Sequence, residues 1–217
     1  MEKNRTGQVI AVIALLVAIV GLSVGFAAFS NTLKIESSAT VTPDKNTFNV
    51  DFSSSQTEVL TNAIKATATP STIKTTEATI DNTNDPVIKN LSATFTEPGQ
   101  KAVYEFYAYN AGELEAFLKS IVYENVTGET FTKVCTAGDG TTADLVTSAC
   151  NGISLSVQVG TEAATTTGVA SITKHSLAKK TGEKVIVTLD YASDATRTDG
   201  DFTVAFGDVT LTYSSVD

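Results

Sequence analysis

Histidine occurs once in this chain, at His175, and cysteine twice, at Cys135 and Cys150. These counts limit the chemistry available. A zinc protease of the His-Glu-x-x-His type needs two histidines on one helical face, which a single histidine cannot supply. A Ser-His-Asp hydrolase would have to use His175, which lies in Ile172-Thr-Lys-His-Ser-Leu177 with no nucleophile elbow nearby. The reading for His175 is therefore a surface or strand residue, and no enzyme is expected. Two thiols without a second histidine make a poor metal site, whereas an even pair in an oxidising compartment forms a disulfide. Closing a loop of about 15 residues contributes roughly 3 kcal/mol by the chain-entropy argument. The turns Gly138-Asp-Gly140 and Asp194–Asp201 gather the oxygen ligands that Ca2+ takes, but neither has EF-hand spacing. No cofactor is expected, with Ca2+ the one ion these turns would suit. Asn90-Leu-Ser92 and Asn125-Val-Thr127 match the glycosylation acceptor pattern.

The elements that carry these residues read as strands. Apolar side chains alternate with polar ones at Phe48, Val50, Phe52, then through Leu91–Phe95, Val103–Tyr109, Ile153–Val159 and Val185–Tyr191. Phe202–Phe206 and Val209–Tyr213 continue the pattern, and the abundant threonine suits half-buried strands. Turn chemistry separates the runs at Asp81–Pro86, Pro98-Gly99, Asn110-Ala-Gly112, Gly138-Asp-Gly140 and Thr198-Asp-Gly200. Strand-like segments every 8–15 residues or so predict an all-β antiparallel sandwich or jelly roll. Two stretches also allow a short helix, Thr57–Ala68 and Glu113–Tyr123; the second comes directly after a hairpin-like turn and is read as a strand. Gly160–Gly168 is small and polar, as an exposed loop would be. Neither a linker nor an internal repeat divides the region.

Ahead of the strands, Val9–Ala28 is a run of 20 residues without a charge, with Lys3 and Arg5 before it. At about 1.5 Å per residue it matches the roughly 30 Å hydrocarbon core of a bilayer. The basic flank leaves the N-terminus in the cytoplasm and places the chain beyond Ala28 outside. Three fates are open to the run. Uncut, it anchors the protein in the membrane as an N-terminal hydrophobic helix. Cut after Gly25-Phe-Ala-Ala28, it is a signal peptide removed by a signal peptidase. Cut before Gln8, it is kept as the core of a pilin-like filament. The predicted domains are thus residues 1–28, leader or anchor, and residues 29–217, one extracellular β-sandwich large enough for a substantial core. The chain has 15 basic and 24 acidic residues; setting aside Lys3, Arg5 and Glu2 leaves 13 and 23, a formal charge of −10 outside. Such a surface repels phosphate backbones, so no nucleic-acid partner is expected.

Two stretches carry a more specific signal. Pro98-Gly-Gln-Lys-Ala-Val-Tyr-Glu-Phe-Tyr-Ala-Tyr-Asn-Ala-Gly112 is a turn, a strand and a second turn, with Asn110 and Gly112 of types suited to left-handed backbone. Together with Gly25-Phe-Ala-Ala-Phe-Ser30 it resembles the TasA/camelysin family of bacterial surface proteins. The resemblance implies a jelly-roll domain, a leader cut by a SipW-type signal peptidase between Ala28 and Phe29, and self-assembly into biofilm-matrix fibres by donation of an N-terminal strand. The candidate donor is Phe29–Val41, in which Leu33, Ile35, Ala39 and Val41 would face inward, with Lys34 and Glu36 outward. An open sheet edge is able to accept such a strand, and because donor and acceptor surfaces differ, the contact propagates head to tail. The same segment is equally suited to be the first strand of its own sandwich. Against the fibre stands a monomeric membrane-anchored module for adhesion or binding.

Overall fold

In the strand Lys101–Asn110 every second residue is sealed from solvent: Ala102, Tyr104, Phe106 and Ala108 are fully buried. Strict alternation of this kind gives a strand one dry face, and two further strands repeat it. Ile153–Val159 buries Ile153, Leu155, Val157 and Val159, and Gly182–Tyr191 buries Val185, Val187, Leu189 and Tyr191. In the computed structural model, which describes residues 47–83, 86–123, 133–169, 171–172 and 175–216, these three form the heart of one sheet. All described residues belong to one compact unit, Pro43–Asp217. The Val9–Ala28 run and the predicted N-terminal helix lie outside them, and no described helix is long and apolar enough to cross a membrane.

In chain order the described elements are β1 (Val50–Ser53), β2 (Thr67–Thr69), β3 (Lys74–Thr75), β4 (Thr79–Asp81), β5 (Val87–Phe95), β6 (Lys101–Asn110) and β7 (Ala116–Tyr123). Next come β8 (Val134–Ala137), the helix α1 (Ala143–Asn151), β9 (Ile153–Val159), β10 (Ser176–Leu177), β11 (Gly182–Tyr191) and β12 (Phe202–Ser214). The fold is all-β and its pairings are antiparallel. The first sheet runs β1-β6-β11-β9, with β2 also on β6. The second runs β10-β7-β12-β5-β3, with β4 also on β5 and β8 on the first half of β12. The two sheets enclose one core. Tyr191 packs edge-on to Phe202 at 5.4 Å and to Phe95 at 5.8 Å, and Phe52 meets Phe106 at 5.2 Å. Each such pair adds about 0.5–1.5 kcal/mol beyond its buried area.

Several expectations need correcting. The runs Phe202–Phe206 and Val209–Tyr213 are one strand, β12, carried through a bulge at Gly207, whose φ of +85° suits glycine alone. Thr57–Ala68 is a loop leading into β2 rather than a helix, while Glu113–Tyr123 does contain strand β7. The helix that exists, α1, has no counterpart among the sequence expectations. It buries only Val146 and Ala149, too few contacts to imprint a helical period on nine residues.

Candidate functional site

The Pro98–Gly112 stretch shows how its unusual residues are used. Gln100 is buried at the first turn; its Oε1 accepts from the Thr96 and Glu97 amides at 2.7 and 3.1 Å, and its Nε2 donates to Thr96 Oγ1. Gly99 there takes a φ of +86°. At the far end of β6, Asn110 is fully buried. Its Nδ2 donates to the Leu114 and Leu177 carbonyls at 2.8 and 3.1 Å, and its Oδ1 accepts from the Gly112 amide at 3.0 Å. Neither Asn110 nor Gly112 is left-handed, contrary to the sequence reading. The glycine is needed for close approach: a Cβ there would stand 2.8 Å from the Asn49 nitrogen and 2.9 Å from the Thr47 oxygen. Gly112 and Glu113 donate to the Asn49 and Thr47 carbonyls. The turn thus grips residues 47–49, which follow the candidate donor segment by a few positions in the sequence. Donor residues Phe29, Leu33, Ile35, Ala39 and Val41, and the bond between Ala28 and Phe29, lie outside the described residues.

The side of the sandwich built by residues 50–81 consists of four short strands. On β6, β1 ends opposite Tyr107 and β2 begins opposite Val103, so no described strand pairs with Tyr104–Phe106 on that side. In the second sheet β3 ends opposite Ala93 and β4 begins opposite Lys89, so no described strand pairs with Asn90–Ser92 of β5 on that side. Part of the outer edge of β1 is capped by a side chain: Asn82 Oδ1 accepts from the Phe52 amide at 3.0 Å and Asn82 Nδ2 donates to the Phe52 carbonyl at 2.8 Å. Beneath this side Tyr104 donates to the Ser92 carbonyl at 2.7 Å, with the Thr76 carbonyl 2.8 Å away, and burial raises its phenol to about 12.

The opposite side is closed. The chain leaving β9 turns at Gly160 and pairs back through Thr165 with Val157. Val169 then pairs with Ile121 of β7, the Ile172 amide donates to the Lys119 carbonyl, and the His175 carbonyl accepts from the Leu118 amide. His175 is no surface histidine. It is 8% exposed, its Nδ1 lies 2.8 Å from Glu162 Oε1, and its Nε2 lies 2.7 Å from Glu183 Oε2. Tyr213 donates to the other Glu183 oxygen at 2.8 Å. Burial opposes the charged imidazole, and the hydrogen bonds and charges of the two carboxylates overcome it, so the pKa stands above the ordinary histidine value. Both ring nitrogens are thus engaged by carboxylates. Sequence spacing carries no sign of this constellation, because its members come from four separate segments.

Cys135 and Cys150 are joined, with their Cα atoms 6.1 Å apart, and tie β8 to α1. A recess of about 310 Å³ beside the bond is lined by Ala137, Val146, Thr147 and Asn151. The two turns considered for Ca2+ do meet, and groups of Asp199 and Asp201 bond within the fold. Asp199 accepts from the amide and hydroxyl of Thr142 at the start of α1, which holds its carboxyl below the usual range. The Asp201 carbonyl accepts from Gly138 N and Thr141 Oγ1. Among the described residues no group of three or more His, Cys, Asp or Glu is placed to hold a metal. Asn90 is exposed, but the Ser92 that completes its acceptor pattern is buried in the core; Asn125 lies outside the described residues. Comparison with family models, with curated proteins and with solved structures finds no match for this chain.

Proposed function

We propose that this protein is a non-enzymatic extracellular structural subunit of the TasA/camelysin type, a jelly-roll-like sandwich that polymerises into matrix fibres by donating Phe29–Val41 to the next copy. The observation that carries this reading is the asymmetry of the sandwich. One side carries backbone bonds from Thr165, Val169, Ile172 and His175; the other is assembled from β1 to β4, none longer than four residues, and no described strand pairs there with Tyr104–Phe106 of β6 or Asn90–Ser92 of β5. Alternation along β6 aims the Glu105 backbone groups at that interrupted edge. An alternating segment such as Leu33-Lys-Ile35 is chemically matched to it, adding main-chain hydrogen bonds and apolar side chains at every second position. The disulfide fits an oxidising compartment outside the cell. In this account a SipW-type signal peptidase is the partner in export, and a second copy of the chain is the partner in function.

N-terminal sequencing of native protein, with electron microscopy of the purified material, tests the proposal. Phe29 as first residue together with filaments is the expected outcome. An intact Met1 in membrane fractions would instead identify an anchored monomer, and Gln8 a pilin-like subunit that keeps its apolar helix; either overturns the proposal.

A further inference from the structure

His175 sits where the two sheets and the returning segment meet. Glu162 belongs to the turn after β9, Glu183 is the second residue of β11 in the first sheet, and Tyr213 belongs to β12 in the second. A neutral imidazole has one N–H and one bare nitrogen, so facing two carboxylates it satisfies one and repels the other. The imidazolium donates to both. Its side chain is 9% exposed and that of Glu183 13%, so water is a poor substitute for the missing proton. Gly160 makes the arrangement possible: its φ is +54°, and a Cβ there would lie 2.7 Å from Glu183 Oε2 and 3.4 Å from His175 Cε1. Among the described residues, the neighbouring strands β7, β9 and β10 add no further carboxylate. β10 is Ser176–Leu177, β9 carries no charged residue, and the one charge on β7 is Lys119, whose ammonium lies 5.8 Å over the Phe117 ring.

We propose that His175 is a proton-operated clasp: charged, it holds the backbone of Thr165, Val169, Ile172 and His175 itself against the outer edges of β9 and β7, and on losing its proton it releases them and bares those edges. What the clasp holds is a short set of backbone bonds: Val157 with Thr165 in both directions at 2.9 Å, Ile121 with Val169 at 2.9 and 2.8 Å, Ile172 to Lys119 at 2.8 Å and Leu118 to His175 at 2.9 Å. Few bonds and an exposed loop make a unit that opens below the global unfolding free energy. The raised folded-state value sets the direction with pH. The clasp is at full strength below the unfolded histidine value of about 6.5, and its contribution is lost as pH rises through the higher folded value. The device is independent of the fibre reading, since it acts on the side of the sandwich opposite β1 and β2.

Amide hydrogen exchange of the disulfide-intact protein between pH 6 and 9, corrected for intrinsic exchange, tests this alongside an NMR titration of the His175 ring. The amides of Leu118, Ile121, Thr165 and Val169 should lose protection by tenfold or more, with a midpoint at the ring's own pKa. The Tyr191 and Gly99 amides, bonded to Gln100 and to Tyr191 in the far turn, should hold theirs. Glu183→Gln should move both midpoints to lower pH together; if that variant does not fold, Glu162→Gln, altered at a half-exposed position, should do the same. Protection at the four amides that stays flat through the ring titration would overturn the clasp. So would a variant that shifts the ring pKa and leaves the exchange midpoint where it was.

Discussion

Asn110 has no solvent to fall back on, so each of its amide atoms must find a partner within the protein. It does so by serving the Leu114 and Leu177 carbonyls and the Gly112 amide at once, joining the end of β6 to the start of β7 and to β10. Truncating it leaves those groups buried and unmet, at about 1–3 kcal/mol for an orphaned group. Asn110→Ala should therefore lower the unfolding free energy by about 2–3 kcal/mol in urea titrations at unchanged slope, and a loss under 0.5 kcal/mol would show the amide is replaceable. Gly112→Ala tests a different cause. Its Cβ would meet backbone atoms of residues 47–49, which cannot rotate away as a side-chain tip does. Overpacking of this kind costs about 1–3 kcal/mol, and the exchange of the Gly112 and Glu113 amides, which bond to those residues, should rise together. Unchanged exchange at both would mean that the contact is slack.

At the scale of elements, β8 and α1 depend on their covalent tie. β8 adds four residues to the edge of β12 and only one of them is even partly buried, while α1 buries two side chains. The disulfide closes a loop of about 15 residues, a constraint on the unfolded chain of roughly 3 kcal/mol. Replacing Cys135 and Cys150 by serine should lower stability by about that amount in guanidinium, with the amides of β8 and α1 exchanging first; a loss below 1 kcal/mol would place these elements among the self-supporting ones. The same contrast between elements explains what the sequence makes legible. β6, β9 and β11 are legible because each has a dry face of four residues, so the period of two is written into the chain. The cysteine pairing is legible from the count, since the chain has two cysteines and they are joined. β2 to β4 have two or three residues each and take their shape from β5 and β6, so no local pattern marks them. β12 reads as two strands because Gly207 and Asp208 interrupt its alternation, although pairing with β5 and β7 carries it through. His175 reads as a surface residue for a related reason: its partners Glu162, Glu183 and Tyr213 become neighbours only once both sheets have formed.

For the whole molecule the decisive matter is which segment pairs with Glu105 on the edge of β6, where no described strand does. The described residues form a contiguous core of their own, with aromatic clusters around Phe52 and Phe106 and around Tyr191 and Phe202. Protein starting at Pro43 should accordingly fold cooperatively, remain monomeric and form no filaments. If Phe29–Val41 is supplied by a neighbour, the corresponding synthetic peptide should bind this shortened protein in trans. Binding to the native state alone raises stability by RT ln(1 + [L]/Kd), about 2.7 kcal/mol at a hundredfold excess over Kd. Exchange should slow most at Glu105, whose backbone faces the interrupted edge, and at the amides of β1 and β2. A peptide with Leu33 and Ile35 replaced by lysine should give no shift, since the inward positions are what the edge selects. On the proposed fibre function, filament growth from Phe29-start protein should also quicken between 0.01 and 0.15 M salt, where screening shortens from about 30 Å to about 8 Å and copies at −10 each repel less. Failure of the Pro43-start protein to fold would show that the segment belongs to its own sandwich, and a folded protein indifferent to the peptide would remove the strand-donation mechanism altogether.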